Sequence, residues 1–298
     1  MISDFAAEHS YRKAADRIRE HYDLELNPSA IRTVTMDVAE ACSDILEKEY
    51  SQAFRALDAK GKNVIIAQAD GSLVSTVKAG KRRAKKPREW REIRLTSAVA
   101  DQSIETVYAA TMGSVESVGQ RWGHCARQAG RGLNTRVHVL GDGAEWIRRQ
   151  CHEIFGDQGQ FLCDFYHVSE YLAAAAERCR PGNPRQWLKT QQRRLRHEGL
   201  RKVLKELKTN LEEPEVEEEE APVRQCYRYL NNRRENLNYA QAEAEGLPIG
   251  SGQIESGHKH VLQARLKQAG MAWLPANAHK MAQLRVVRAN NDWDALWN

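Results

Sequence analysis

Apolar positions recur along this chain with two periods. Between residues 9 and 50 the spacing is helical, and it divides into two helices. Ser10 is placed as an N-cap ahead of Tyr11, Ala14, Ala15 and Ile18. Asn27-Pro28 reads as a second start, with Asn27 as cap and Pro28 in the first helical position. Ile31, Val34, Val38, Ala41 and Ile45 are expected to form the apolar face of that second helix. From about residue 61 the period falls to two. Residues 63–77 read as one long strand with Asp70 near its middle. Residues 90–100 read as the returning strand, with Ile93, Leu95 and Val99 on one face, and 103–110 as a third strand. Then follow a helix over 114–129, a strand over 135–141, a helix over 143–153 and a strand over 159–164. From 167 to about 245 the pattern is helical and charged, and Glu212 to Glu220, interrupted by Pro214, reads as an exposed connection. Amphipathic helices close the chain, with Leu262, Leu266, Met281, Leu284, Val287, Trp293 and Trp297 assigned to the core. The alternation of strands and helices predicts a mixed α/β fold.

Composition narrows this picture modestly. With 298 residues the chain is long enough for one large domain or several small ones. Its net charge of +5 is mild, so the distribution of charge carries more information than the sum. Seven cations and no acid fall within residues 78–88. In a hairpin loop, Lys81, Arg82, Arg83, Lys85 and Lys86 would contact a phosphate backbone with strong salt dependence. The helix beginning Ser29-Ala30-Ile31-Arg32 follows a shorter helix as in a helix-turn-helix, which would bring Arg32 to DNA; an ordinary helical hairpin is the alternative. The six cysteines are scattered without a C-x-x-C pair, which fits a reducing compartment and indicates neither a zinc ribbon nor a disulfide framework. His124-Cys125 and Cys151-His152 are poor metal candidates, because adjacent residues rarely ligate one ion together. No apolar run approaches the ~18 residues of a membrane span. Met1-Ile2-Ser3-Asp4-Phe5 is not a secretory signal, and this abrupt start suggests sequence upstream.

Three acids carry the candidate chemistry. Asp70 ends the apolar run Val64-Ile65-Ile66-Ala67-Gln68-Ala69, Asp142 ends Val137-His138-Val139-Leu140-Gly141, and Glu255 lies where glycines give way to a helix-forming stretch. Short Asp side chains on rigid strands, joined by a longer Glu from a helix, suit hard divalent ions that act on phosphates. Two such charges 4 Å apart repel by roughly 4 kcal/mol at an effective dielectric of about 20, so a cluster of this kind calls for a cation. Singly, each acid has an ordinary reading; Asp142, for example, reads equally as a helix cap.

Four stretches support a resemblance: Gln68-Ala69-Asp70-Gly71-Ser72, Leu140-Gly141-Asp142-Gly143-Ala144-Glu145-Trp146-Ile147, Leu162-Cys163-Asp164-Phe165-Tyr166-His167, and Ile249-Gly250-Ser251-Gly252-Gln253-Ile254-Glu255-Ser256. Together with the tail from Arg265 through Met271 and Trp273, they resemble a DDE-type bacterial insertion-sequence transposase of the Kra-type group, a relative of the Mutator-like enzymes. The resemblance implies a ribonuclease H-like mixed sheet flanked by helices over 60–167 and 246–298. It implies an all-helical insertion over 168–245, which accounts for the 113 residues between Asp142 and Glu255, and a helix-turn-helix-like segment over 1–55.

By the same resemblance, Asp70, Asp142 and Glu255 are the catalytic, metal-binding triad for two Mg²⁺ or Mn²⁺ ions. Asp164 and His167 match an Asp/Cys-x-x-His signature. They either support the metal site, orient His167 toward DNA, or are a helix cap beside a packed histidine. His258 and Lys259, on the helical face of Glu255, either touch phosphates or are surface residues. The implied activity is cleavage at element ends and transfer of the 3′-OH into target DNA, in a cytoplasmic bacterial homodimer or larger assembly with no membrane partner. The alternatives are a domesticated DNA-binding protein without catalysis and a nuclease or resolvase of similar fold.

Overall fold

The computed structural model describes residues 1–80 and 87–294. Lys81, Arg82, Arg83, Lys85 and Lys86 of the expected basic loop, and Trp297 of the expected core, lie outside the described residues. In chain order the elements are α1 (Ile2–Glu8), α2 (Tyr11–Tyr22), α3 (Pro28–Tyr50), β1 (Val64–Val77), β2 (Arg88–Ala100), β3 (Val107–Thr111), α4 (Val115–Gln128), β4 (Arg136–Gly141), α5 (Glu145–Phe155), β5 (Gly159–Cys163), α6 (Phe165–Cys179), α7 (Pro184–His197), α8 (Leu200–Lys208), α9 (Pro222–Asn232), α10 (Tyr239–Ala244), α11 (Gly252–Gly257), a π-helical turn (His258–Gln263), α12 (Ala264–Leu266) and α13 (Pro275–Ala289). The five strands form a mixed sheet with the order β3-β2-β1-β4-β5, flanked by helices. The chain divides into two compact units. The first comprises residues 1–137, 150–158 and 252–298; the second comprises 138–149 and 159–251. Among the described residues no helix is long and apolar enough to cross a membrane.

In the first unit, β1 and β2 form a long antiparallel hairpin in which Asp70 is paired with Leu95 and Ser72 with Ile93. Paired residues project to the same face. Thr96, on the opposite face from Leu95, meets Cys125 of α4 at 3.6 Å. On the Leu95 face lies α11, where Gly257 sits so close that a Cβ would fall 2.7 Å from the Tyr108 ring and 3.0 Å from Leu95. One face of the hairpin is thus closed by α4 and the other by the segment that carries Glu255.

The N-terminal helices start where local capping dictates. The Ser10 side chain accepts the Lys13 N–H, the Asn27 side chain accepts the Ser29 N–H, and Pro28 opens α3. The expected apolar face of α3 is corrected by the structure. The buried stripe is Ile31, Thr35, Ala39, Cys42, Leu46 and Tyr50, while Val34 and Ile45 are exposed. Two stripes of similar apolarity run along this helix, and packing selects the one that ends in Tyr50. There Arg121 lies 4.5 Å over the Tyr50 ring, pairs with Glu47 and donates to the Ala110 carbonyl, which also accepts from Gln283.

Helix α1, absent from the sequence reading, is held at its C-terminal end by buried arginines. Arg265 donates to the Ala6 carbonyl at 2.9 Å and Arg285 donates to the Ala7 carbonyl and pairs with Glu8, while the half-buried Arg288 pairs with Asp4 in the first turn. Cations at the carbonyl-rich end of a helix are favourable for the helix dipole. Ala6, Ala14, Ile18 and Ile31 then form a small core joining α1, α2 and α3.

The second unit is built around α6 to α10, with Leu172, Trp187, Leu195, Val203, Leu207, Val223 and Leu230 in its core. The acidic connection is largely exposed, as expected, but it is more than a solvated tether. The Glu212 carboxylate accepts the Val223 and Arg224 N–H groups at 2.8 Å each, and so caps α9, whose own N-cap Ala221 has no side-chain acceptor. Glu218 pairs with Arg224 and Arg228.

Candidate functional site

Alternation along β1 sends Gln68, Asp70 and Ser72 to one face, and each meets the Glu255 segment. The buried Gln68 Oε1 accepts the Ile254 N–H at 2.8 Å. Ile254 is the third residue of α11, where an N–H has no acceptor within the helix, so a strand side chain caps the helix start. Asp70 Oδ1 accepts the N–H of Gly71 at 2.7 Å, and the Asp70 side chain is 38% exposed. Ser72 Oγ lies 3.2 Å from His258 Nδ1, and His258 Nε2 lies 3.1 Å from the Asp70 carbonyl and 3.7 Å from its carboxylate. A neutral imidazole that donates from Nε2 and accepts the serine hydroxyl at Nδ1 satisfies both contacts. Burial pulls the His258 pKa down, against the raising influence of Asp70. Burial likewise lowers the pKa of Lys267, with Asp70 again opposing it.

The outward role expected of His258 is therefore corrected: it is 2% exposed and braces Asp70 from within, while Glu255 and Lys259 face solvent. The π-helical turn beginning at His258 is the backbone device at this point, and such turns are frequent at functional sites. Gln68 and Lys267 were not singled out from the sequence. The spacing Gln68-x-Asp70-x-Ser72 was the available signal, but it does not say what lies opposite.

In the second unit Asp142 follows β4 and accepts the Ala144 N–H at 2.8 Å. Gly143 has φ +83°, and a Cβ there would fall 2.6 Å from Arg233 Nε and 2.7 Å from the Tyr229 hydroxyl, so the turn requires glycine. Those two side chains hold the turn: the Tyr229 hydroxyl donates to the Asp142 carbonyl at 2.6 Å, and Arg233 Nε donates to the Gly143 carbonyl at 2.9 Å. Arg233 lies 4.0 Å over the Tyr229 ring, which stacks on Tyr171 at 4.0 Å. Burial raises the Tyr229 pKa, which keeps the hydroxyl protonated as a donor. No sequence signal pointed to this brace.

Asp164 is 2% exposed. Its Oδ1 accepts the Tyr166 and His167 N–H groups at 2.6 and 2.9 Å, and its Oδ2 accepts both the N–H and the hydroxyl of Ser251. It caps α6 and clamps the Gly250-Ser251 turn to it, the helix-cap arrangement among the expected roles. His167 lies edge-on to Tyr171 and Tyr229, with Nδ1 3.3 Å from Glu170. Arg32 and Lys259, offered for DNA contact, are both exposed.

Asp70 and Glu255 belong to the first unit and Asp142 to the second. Among the described residues no group of three or more His, Cys, Asp or Glu side chains is gathered as a ready metal-binding cluster. The donor chemistry of Asp70 and Glu255, hard carboxylate oxygens with access to solvent, suits Mg²⁺ or Mn²⁺.

Fold and site together define a mixed α/β protein in which a strand-borne aspartate is tied to a glutamate-bearing helix. The chain belongs to the uncharacterised protein family UPF0236, whose model matches residues 2–295. No curated protein matches the chain.

Proposed function

We propose that this chain is a DDE-type transposase of the Kra-type insertion-sequence group, with a ribonuclease H-like core. It cleaves a DNA strand at the ends of its element and joins the freed 3′-OH to target DNA. Asp70, Asp142 and Glu255 would hold two divalent ions, Mg²⁺ or Mn²⁺. Bound there, the ions supply charge neutralisation at the attacking and leaving oxygens. The chain's own residues do the positioning. Gln68 fixes the start of the helix that bears Glu255, His258 braces Asp70, and Tyr229 with Arg233 holds the turn of Asp142.

The observation that supports this reading most is the tie between alternate residues of β1 and the Glu255 segment, made by Gln68 to Ile254 and by Ser72 and Asp70 to His258. It ties together the two segments that carry acids 185 positions apart in the sequence. The α2–α3 pair is read as helix-turn-helix-like, with Arg32 on its exposed side, and Lys259 as a phosphate contact. Two element ends must be held at once, so a homodimer or higher oligomer is part of the proposal, working on DNA in the bacterial cytoplasm.

The test is a reaction of the purified chain with labelled element ends in Mg²⁺ or Mn²⁺ and in EDTA. Nicked and joined products that vanish in EDTA support a transposase. A gel shift without cleavage favours a DNA-binding protein, and cleavage without joined product favours a nuclease or resolvase.

A further inference from the structure

A cavity of about 530 Å³ opens in the first unit between the start of α2, the start of α3, the end of β1 and the start of α13. Its walls include Tyr11, Arg32, Met271, Trp273 and Asn277, with Arg265 at the base. Arg265 is fully buried. Its Nε bonds the Ala6 carbonyl and one terminal nitrogen touches the Met271 sulfur at 3.2 Å, while the other terminal nitrogen has no acceptor at standard hydrogen-bond geometry and the guanidinium meets the Tyr11 side chain only as a weaker polar contact. The guanidinium lies 5.1 Å from the Tyr11 ring and 4.8 Å from the Trp273 ring. Among the described residues no carboxylate pairs with it, because the nearby Glu8 is engaged by Arg285 and Arg288.

A buried cation with an unused donor calls for an anion. Two further features point the same way. Arg32, exposed on the first turns of α3, lines the same cavity. Helix α13 also begins there, and its N-cap Leu274 offers no side-chain acceptor, so the free N–H groups of its first turn favour negative charge. The remaining wall is apolar and aromatic, and the volume falls in the range of roughly 300–1,000 Å³ usual for small-ligand sites.

We propose that this cavity receives one unpaired nucleotide, its phosphate on Arg265, Arg32 and the start of α13, and its base against Trp273. The inference deepens the DNA-processing reading and rests on it only for the source of the nucleotide, a strand end rather than a free mononucleotide.

The experiment uses the full chain and three probes: a fluorescein-labelled blunt duplex, the same duplex with a single-stranded extension of three nucleotides, and dAMP as competitor. Binding is read by anisotropy, with circular dichroism to confirm folding. Two variants leave the buried arginine in place. Arg32→Glu changes an exposed side chain, and Asn277→Asp puts a carboxylate in the first turn of α13, which the helix itself favours. The expected result is tighter binding of the extended duplex than of the blunt one. Asn277→Asp should lose at least about fivefold in affinity for the extended probe, the order of one charge-assisted hydrogen bond, with blunt-duplex affinity falling less, whereas Arg32→Glu, a duplex contact as well in the helix-turn-helix-like reading, should weaken both duplexes and dAMP. Trp273→Leu should abolish the preference for the extension. If dAMP binds and Arg32→Glu and Asn277→Asp weaken it, while neither duplex binds, the cavity is a nucleotide site and the DNA-processing reading fails. If the parent binds both duplexes equally and dAMP not at all, the cavity proposal is overturned while the DNA reading stands.

Discussion

Replacing Gln68 by Met isolates the contact that positions the helix of Glu255. Methionine preserves the length and most of the volume of the buried side chain and adapts to the packing around it, so the cavity contribution is small. What is lost is the acceptor 2.8 Å from the Ile254 N–H. Ile254 is 1% exposed, so water cannot take over. An orphaned buried donor costs about 1–3 kcal/mol, and this is the expected loss of unfolding free energy in urea titrations followed by circular dichroism. A catalytic consequence should accompany it. Glu255 is the next residue in the chain, and a displacement of about 1 Å at a reacting group is worth on the order of 10²-fold in rate. Strand cleavage by Gln68→Met should therefore fall by about that factor while duplex binding holds. A variant within about 0.5 kcal/mol of the parent that also cleaves at the parental rate would refute the claim that this hydrogen bond places the helix.

Asp70→Ala, Asp142→Ala and Glu255→Gln should each abolish cleavage and joining on labelled ends and leave the gel shift largely intact; full activity in any one removes that residue from the site. Gly143→Ala should destabilise the fold by roughly 1–2 kcal/mol for the left-handed backbone alone, and by more because the new methyl meets Tyr229 and Arg233; an unchanged melting temperature would contradict this. His124 gives a pH signature. Burial, aided by Arg121, holds its pKa at about 4 in place of 6.5, despite Glu49 at 3.8 Å. The imidazole is neutral when folded, so its contribution to stability is fully present above pH 6.5 and is lost as the pH falls toward 4. It amounts to roughly 3 kcal/mol, because the unfolded chain binds that proton first. Urea titrations of the parent between pH 7 and 4 should show this loss, and His124→Gln should show a correspondingly flatter dependence. Burial lowers the His258 and His279 pKa values in the same direction, so some acid sensitivity remains in that variant.

Several features needed only neighbours in the chain. Ser10, Asn27 and Ser114 cap the helices they precede, because a cap acts on an N–H group two or three residues away. The period-two run around Asp70 became β1, and the runs that end at Gly141 and Cys163 became β4 and β5. Of the three acids, Asp142 directly follows β4, as the apolar run before it implied, while Asp70 lies near the middle of β1 and Glu255 within α11.

Periodicity states that a face will be buried but not against what. On α3 two stripes competed, and only the packing against α1, α2, α4 and α13 decided for Thr35, Ala39 and Leu46 over Val34 and Ile45. His258 turned inward because Asp70 and Ser72, more than 180 positions earlier, offered it partners. Asp164 became a clamp because Ser251 met it across 87 positions. Arg265 and Arg285 are buried with their guanidinium groups satisfied in part by the last carbonyls of α1, 259 positions earlier in the case of Arg265. The sequence by itself therefore determined the strands, the helices beyond α1 in outline and the caps of several, since these follow from backbone sterics and nearby hydrogen bonds. Tertiary structure alone decided which side chains brace the acids and which cations are buried, since a buried polar group takes whatever partner the packed fold leaves within about 3 Å.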